Sequence, residues 1–89
     1  MLPHGNIKVR AMKHTPEAIG ELVKNTRKTM GVTQKDLAMT SGTGLRFIID
    51  MEKGKATCQL GKVLTVLHTL GITVQLTAPA AGKAAKGGV

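Results

Sequence analysis

The side chains that could support catalysis are few and scattered in this sequence. It contains one cysteine, Cys58, and three histidines, His4, His14 and His68. None of them stands at a spacing typical of metal ligands, and Ser41 has no histidine or acid placed to activate it as a nucleophile. No glycine-rich phosphate-binding loop with its lysine is present either. We therefore expect a protein that is not an enzyme and that uses no metal or cofactor.

The chain is strongly basic. It has 13 Lys and Arg against 5 Asp and Glu in 89 residues, a net charge of +8, which indicates a polyanionic partner. Phe47 is the one aromatic residue, so the aromatic platforms that bind single strands by stacking are excluded. A lone cysteine cannot form an internal disulfide, and no run of about 18 apolar residues could span a membrane. We expect a cytoplasmic protein.

Composition divides the chain into three parts, which we predict as a basic N-terminal arm over 1–14, a folded domain over 15–76 and a disordered tail over 77–89. The tail consists almost entirely of Ala, Gly, Pro and Lys, too poor in large apolar side chains to pack. The two flanks contain five Lys or Arg and no acid, so five of the eight net charges lie there. These flanks either contact phosphates or are simply solvated.

Four helices are predicted in the central domain. The first three begin at a hydroxyl N-cap, Thr15, Thr33 or Thr43, and helices also stop at glycines, which readily adopt the left-handed conformation. Thr33 and Asp36 have the spacing of a capping box. The predicted limits are 15–30, 33–41, 43–53 and 57–70.

A short strand is predicted after the last helix, because residues 72–76 alternate apolar and polar side chains. One strand needs a second, supplied by a symmetric copy of the chain or by the alternating residues 7–11. The apolar stripe of the fourth helix is also wider than a lone four-helix domain needs. We therefore predict a homodimer whose contacts involve Val66, Leu70, Ile72, Val74 and Leu76.

The second and third helices must cross closely, since the loop between them is short. Ala38 and Gly42 supply the small residue and the bend that such a crossing needs, while Leu37, Ile48 and Met51 supply apolar faces. This is the pattern of a helix-turn-helix, whose second helix can enter the major groove of DNA. The predicted fold is an all-α, compact helix-turn-helix domain of about four helices with one short C-terminal strand.

Over roughly residues 17–71 the sequence resembles the phage-repressor-like (Cro/C1, XRE-type) helix-turn-helix family. The matching positions are Thr33-Gln34, Leu37-Ala38, Gly42, Ile48, Glu52 and Gly54. With the QLGKVLTVLHTLGI and ITVQL stretches added, the chain is most similar to HipB-type antitoxins. That resemblance implies strands that pair across a dimer, an operator as DNA partner and a HipA-like Ser/Thr kinase toxin as protein partner.

The resemblance also implies roles for single positions. Gln34 matches a residue that contacts a DNA phosphate. Arg27 and Glu52 match a pair that ties the first helix to the end of the recognition helix. Lys53 and Lys55 flank the glycine where the family meets phosphates, although a solvated turn is the alternative.

The family's recognition positions correspond to Gly44, Leu45, Arg46, Ile49 and Asp50. Thr43, just before them, replaces the usual core valine and is also predicted to contact DNA. Arg46 is able to bridge guanine O6 and N7. Alternatively, it contacts a phosphate or serves as a capping partner. Leu45 and Ile49 can meet thymine methyl groups or pack on a neighbour. Asp50 could accept from cytosine, but an acid near phosphates is unfavourable, so we expect it to point away from DNA.

The sequence thus predicts a dimeric, sequence-specific transcriptional repressor that binds a palindromic operator and acts as the HipB-like antitoxin of a toxin–antitoxin operon. One alternative is a stand-alone phage-type regulator without a toxin. Another is a protein-interaction module that has lost DNA specificity, for which the apolar Leu45, Phe47 and Ile49 are the reason.

Overall fold

The computed structural model of the chain describes residues 14–79, most of which lie in four helices. The four helices are α1 (Pro16–Thr29), α2 (Gln34–Ser41), α3 (Leu45–Glu52) and α4 (Leu60–Thr69). None of these helices is long and apolar enough to cross a membrane. The arm predicted over 1–14 and the tail predicted over 77–89 lie almost entirely outside the described residues, so those two predictions stay predictions.

The first two helices begin as predicted. Thr15 Oγ1 accepts a hydrogen bond from the Ala18 N–H at 3.0 Å, and Pro16 occupies the first turn of α1. At α2, Thr33 Oγ1 accepts from the Asp36 N–H at 3.0 Å while Asp36 Oδ2 accepts from the Thr33 N–H at 3.4 Å. The capping box is therefore confirmed.

The start of the third helix was predicted wrongly. Thr43 is not the N-cap; that position belongs to Gly44, whose φ of 95° favours glycine and which makes no side-chain cap bond. The Thr43 hydroxyl instead shares a 2.9 Å hydrogen bond with the Ser41 hydroxyl. Helix α4 also begins later than predicted, at Leu60, after Gln59 as N-cap.

The core lies where all four helices meet. Its most completely buried side chains are those of Val23, Leu37, Ile48 and Val66, one from each helix. Helix α3 packs against both α1 and α2, and α4 packs against α2. The helix that should meet DNA is thereby held from two sides by the rest of the fold.

Helix α1 approaches the end of α3 unusually closely at Gly20. A Cβ atom added there would collide with the carbonyl oxygen of Met51 and would lie 3.0 Å from that of Glu52. Only glycine fits at this crossing without a backbone shift. The sequence reasoning missed Gly20, because nothing local distinguishes a packing glycine inside a helix.

The predicted C-terminal strand is absent from the structure of the single chain. Residues 72–79 have no regular secondary structure, and their one backbone hydrogen bond to the rest of residues 14–79 runs from the Ile72 N–H to the Leu67 carbonyl. Alternating side chains alone do not make a strand, since a strand also needs a neighbouring backbone to bond with.

The residues predicted at a dimer contact divide into two groups. Val66 and Leu70 are buried in the chain's own core, so these two side chains need no second subunit to cover them. Ile72 is partly buried against that core, whereas Val74 and Leu76 are exposed. Only the exposed members of the set can meet a partner in this conformation.

Candidate nucleic-acid interface

Helices α2 and α3 are joined by a turn that is fixed by local hydrogen bonds. Gly42 has a left-handed φ of 72° and its N–H donates to the Ala38 carbonyl at 2.9 Å. The Ser41 hydroxyl lies 2.7 Å from the Leu37 carbonyl oxygen, to which it can donate, and it also bonds with Thr43. Leu37 and Ala38 are buried beneath the turn, and α3 packs against α2. This is a helix-turn-helix.

The first turn of α3 is open to solvent. Leu45 and Arg46 are exposed, Ile49 is partly exposed one turn later, and the Arg46 side chain keeps 77% of its accessible surface. Gly44 adds no side chain and makes no cap bond. An approaching partner would therefore meet one long cation, apolar side chains and the backbone amides of a helix start.

Asp50 places a negative charge close to Arg46. Arg46 Nη1 lies 3.6 Å from Asp50 Oδ1, and Lys55 Nζ lies 3.5 Å from Asp50 Oδ2. Asp50 thus lies between Arg46 and Lys55, and the expectation that it points away from DNA stays a prediction. Arg46, Asp50 and Lys55 together carry a net charge of +1. This part of the surface is therefore still positive in spite of the acid.

The far end of α3 is tied into the fold by a buried ion pair. Glu52 accepts hydrogen bonds from Arg27 Nε at 2.6 Å and Arg27 Nη2 at 3.0 Å, and Arg27 Nη1 donates to the Val32 carbonyl at 2.9 Å. The two side chains are only 10% and 4% exposed. The hydrogen bond to Glu52 raises the pKa of Arg27 above its ordinary value, against the opposing effect of burial. Arg27 and Glu52, predicted as a pair, are thus in direct contact.

Gln34 joins this network at the first position of α2. Its Nε2 donates to Glu52 Oε1 at 3.0 Å, an interaction across 18 positions of sequence that the reasoning from sequence missed. A primary amide has a second N–H, which remains for a phosphate. Gln34, Ile49 and Lys53 line one shallow depression with Lys24 and Lys28 of α1, so the predicted phosphate contact lies among cations.

Comparison with known proteins agrees with this geometry. No protein-family model matches the chain. Over 65 residues it is 52% identical to a protein of Sinorhizobium fredii (strain NBRC 101917 / NGR234) described as the uncharacterized HTH-type transcriptional regulator y4mF. The match covers 73% of this chain and 86% of that protein. The chain belongs to the HTH-type transcriptional regulators.

The structure of this regulator adds cations that the sequence reasoning did not select. Lys62, in the first turn of α4, has its Nζ 5.8 Å from the centre of the Phe47 ring on α3, within the range of a cation–π contact. Lys24 and Lys28 lie beside Gln34. No motif marks these lysines; the packing of α1 against α3 and the contact of Lys62 with Phe47 bring them near the recognition helix.

The remaining candidates for chemistry do not come together. Cys58 and His14 border an apolar pocket between α1 and α4, with Lys55 at its edge, while His68 is exposed in the last turn of α4. Within residues 14–79, no three His, Cys, Asp or Glu side chains are grouped as metal ligands. His4 lies outside the described residues.

Proposed function

We propose that this regulator is a sequence-specific DNA-binding repressor that acts in the cytoplasm, without catalytic activity, and inserts α3 into the major groove of a palindromic operator. The observation that carries the proposal is the exposed Arg46 on the first turn of α3, a helix whose other end is fixed by Glu52. A helix whose direction is fixed at one end and whose open start carries one long cation is suited to base contacts. The membership in the HTH-type transcriptional regulators supports the same reading.

Base readout is assigned to Arg46, Leu45 and Ile49. Arg46 bridges O6 and N7 of a guanine, the most specific contact an arginine makes in the major groove. Leu45 and Ile49, on the same exposed side of α3, meet thymine methyl groups. Gly44 and Thr43 precede the helix and let the backbone approach the duplex without a bulky side chain. The operator is therefore expected to combine guanine with adjacent thymines.

Phosphate contacts are assigned to the residues that flank α3. Gln34 offers its second amide N–H and the amides at the start of α2, and Lys53 and Lys55 follow α3 in exposed positions. Such contacts position the protein without reading sequence. Because each neutralised phosphate releases counterions, binding should weaken steeply as salt rises.

A homodimer is part of the proposal, since a palindromic site needs two copies of α3 about 34–36 Å apart. Apolar side chains without cover in the single chain support it. Leu60 and Leu64 are exposed one turn apart on α4, and Val74 and Leu76 are exposed after it. Leu64→Asp or Val74→Asp should convert a sedimenting dimer to monomer, and a dimer that survives both changes would contradict this interface.

The antitoxin role rests on the resemblance to HipB-type proteins. It requires that the regulator also bind and neutralise a HipA-like Ser/Thr kinase. A stand-alone phage-type regulator is the second candidate, and it has the same DNA interface. Purification of the tagged protein from its native cell separates the two, since only an antitoxin should bring down a stoichiometric kinase.

Selection of bound duplexes from a random library, followed by affinity measurement with Arg46→Ala, tests the proposal. Affinity for the selected palindrome should fall about 5-fold or more in the variant, because a bidentate guanine contact contributes about 1–3 kcal/mol. Lys53→Ala is the matched control, because it removes a cation assigned to a phosphate contact and should weaken binding to every sequence about equally. If no sequence is selected, or if Arg46→Ala binds the selected site unchanged, α3 is an interaction surface for protein instead.

A further inference from the structure

Asp50 places a negative charge on α3, the helix that is proposed to enter the negatively charged groove of DNA. It lies one helical turn after Arg46 on α3, and its side chain is 25% exposed. A carboxylate this close to a DNA-binding face repels phosphates. Exposed ion pairs at i,i+4 spacing add little to folding stability. Stability alone therefore gives a weak reason for Asp50 at this position.

The surroundings of Asp50 show how its charge is tolerated. Its backbone carbonyl accepts from the N–H of Lys53 at 3.2 Å and from the N–H of Lys55 at 3.1 Å, so the turn after α3 closes around it. That turn brings Lys55 Nζ to Oδ2 while Arg46 Nη1 lies beside Oδ1. Each carboxylate oxygen has its own cation, one on either side.

The distance between Arg46 and Asp50 matters for what the guanidinium can still do. At 3.6 Å the two groups attract as an ion pair but do not form a hydrogen bond. A guanidinium has five N–H donors in a planar fork. The carboxylate thus attracts the guanidinium along α3 without using up its donors, which remain for a guanine.

From this geometry we infer that Asp50 is a positioning residue for sequence discrimination. It holds Arg46 over the base edges and keeps it from turning to the nearest phosphate. Its charge also weakens binding to DNA in which no guanine receives Arg46. Lys55 holds the other oxygen and keeps the carboxylate in place. The inference deepens the proposed function and rests on it.

The test compares affinities for the selected palindrome and for a scrambled duplex at one salt concentration. Asp50→Ala should raise affinity for the scrambled duplex and reduce the ratio between the two affinities by about two- to fivefold, the size expected for the loss of an exposed ion pair. Asp50→Glu keeps a carboxylate at i+4 and should restore most of the ratio. A merely structural role would move both affinities together and leave the ratio unchanged.

Glu21→Ala is the charge-matched control, because it removes one acid from an exposed position of α1. It should raise both affinities slightly and equally. If Asp50→Ala behaves like Glu21→Ala, with the ratio intact, Asp50 acts only through net charge and the inference is overturned. If the wild-type protein itself does not discriminate between the duplexes, the proposed function fails as well, and the two failures are thereby distinguished.

Discussion

The two ends of α3 are built in opposite ways. At its C-terminal end, Glu52 is almost fully buried and receives hydrogen bonds from Arg27 and Gln34. At its N-terminal end, Gly44 makes no side-chain cap bond and Arg46 is largely exposed, with one loose ion pair to Asp50. One eight-residue helix therefore has a fixed end and an open end.

The difference teaches how a short helix can be both oriented and adaptable. A helix of this length is not stable in isolation, so its direction depends on the contacts that hold it. In this chain, those contacts are the hydrogen bonds of Glu52 and the close crossing of α3 with α1 at Gly20. The open end can then adjust to a ligand without disturbing the orientation of the helix.

Breaking the fixed end should have the largest effect. Glu52→Ala leaves the Arg27 guanidinium buried without its partner, which costs about 3–5 kcal/mol of unfolding free energy. Urea unfolding followed by circular dichroism measures that loss. A loss below about 1 kcal/mol would mean that the pair does not hold α3, since that is what an exposed ion pair contributes. The double variant Arg27→Met with Glu52→Leu should be more stable than Glu52→Ala, because no charge is then left unpaired.

The crossing of α1 and α3 should be nearly as sensitive. Gly20→Ala places a methyl group against the backbone oxygens of Met51 and Glu52, and we expect a cost of about 1–3 kcal/mol, typical of overpacking. Gly61→Ala is the matched control, since Gly61 is also helical but an added Cβ there meets nothing within 4 Å. That change should stabilise the protein by about 0.5–1 kcal/mol. Equal effects at the two glycines would show that the crossing is not tight.

The helix starts give a smaller contrast. Thr33→Ala removes the cap of α2 and should cost about 1 kcal/mol, whereas Thr43→Ala removes no cap and should stay within about 0.5 kcal/mol. Thermal unfolding of the two variants side by side measures the difference. If Thr43→Ala is the more damaging change, the hydroxyl of Thr43 and not the glycine after it sets the start of α3.

The sequence predicted those features that depend on local chemistry. The caps at Thr15 and Thr33 follow from short-range hydrogen bonding, and the buried Leu37 and Ile48 follow from helical spacing. The prediction of Thr43 as the N-cap of α3 was wrong because its hydroxyl has a competing partner, Ser41, two residues away. The same residue type thus has two local uses, and the sequence does not say which one is realised.

The features that depend on contacts between helices could not be predicted from the sequence. The hydrogen bond from Gln34 to Glu52, the tight fit of Gly20 and the contact of Lys62 with Phe47 all join different helices. The pairing of Arg27 with Glu52 came from family resemblance and not from spacing. The apolar stripe of α4 suggested a dimer contact at Val66, but that residue fills the chain's own core.

Direct base readout by Arg46 is the central claim, and a double-mutant cycle across the interface tests it most directly. Each guanine of the selected operator is replaced in turn by 7-deazaguanine, which lacks the N7 acceptor, and the affinities of the wild-type protein and Arg46→Ala are compared. At one guanine per half-site, the replacement should cost the wild type about 1–3 kcal/mol and the variant almost nothing. If every guanine gives the same cost with and without the Arg46 side chain, Arg46 does not read the operator and the claim is wrong.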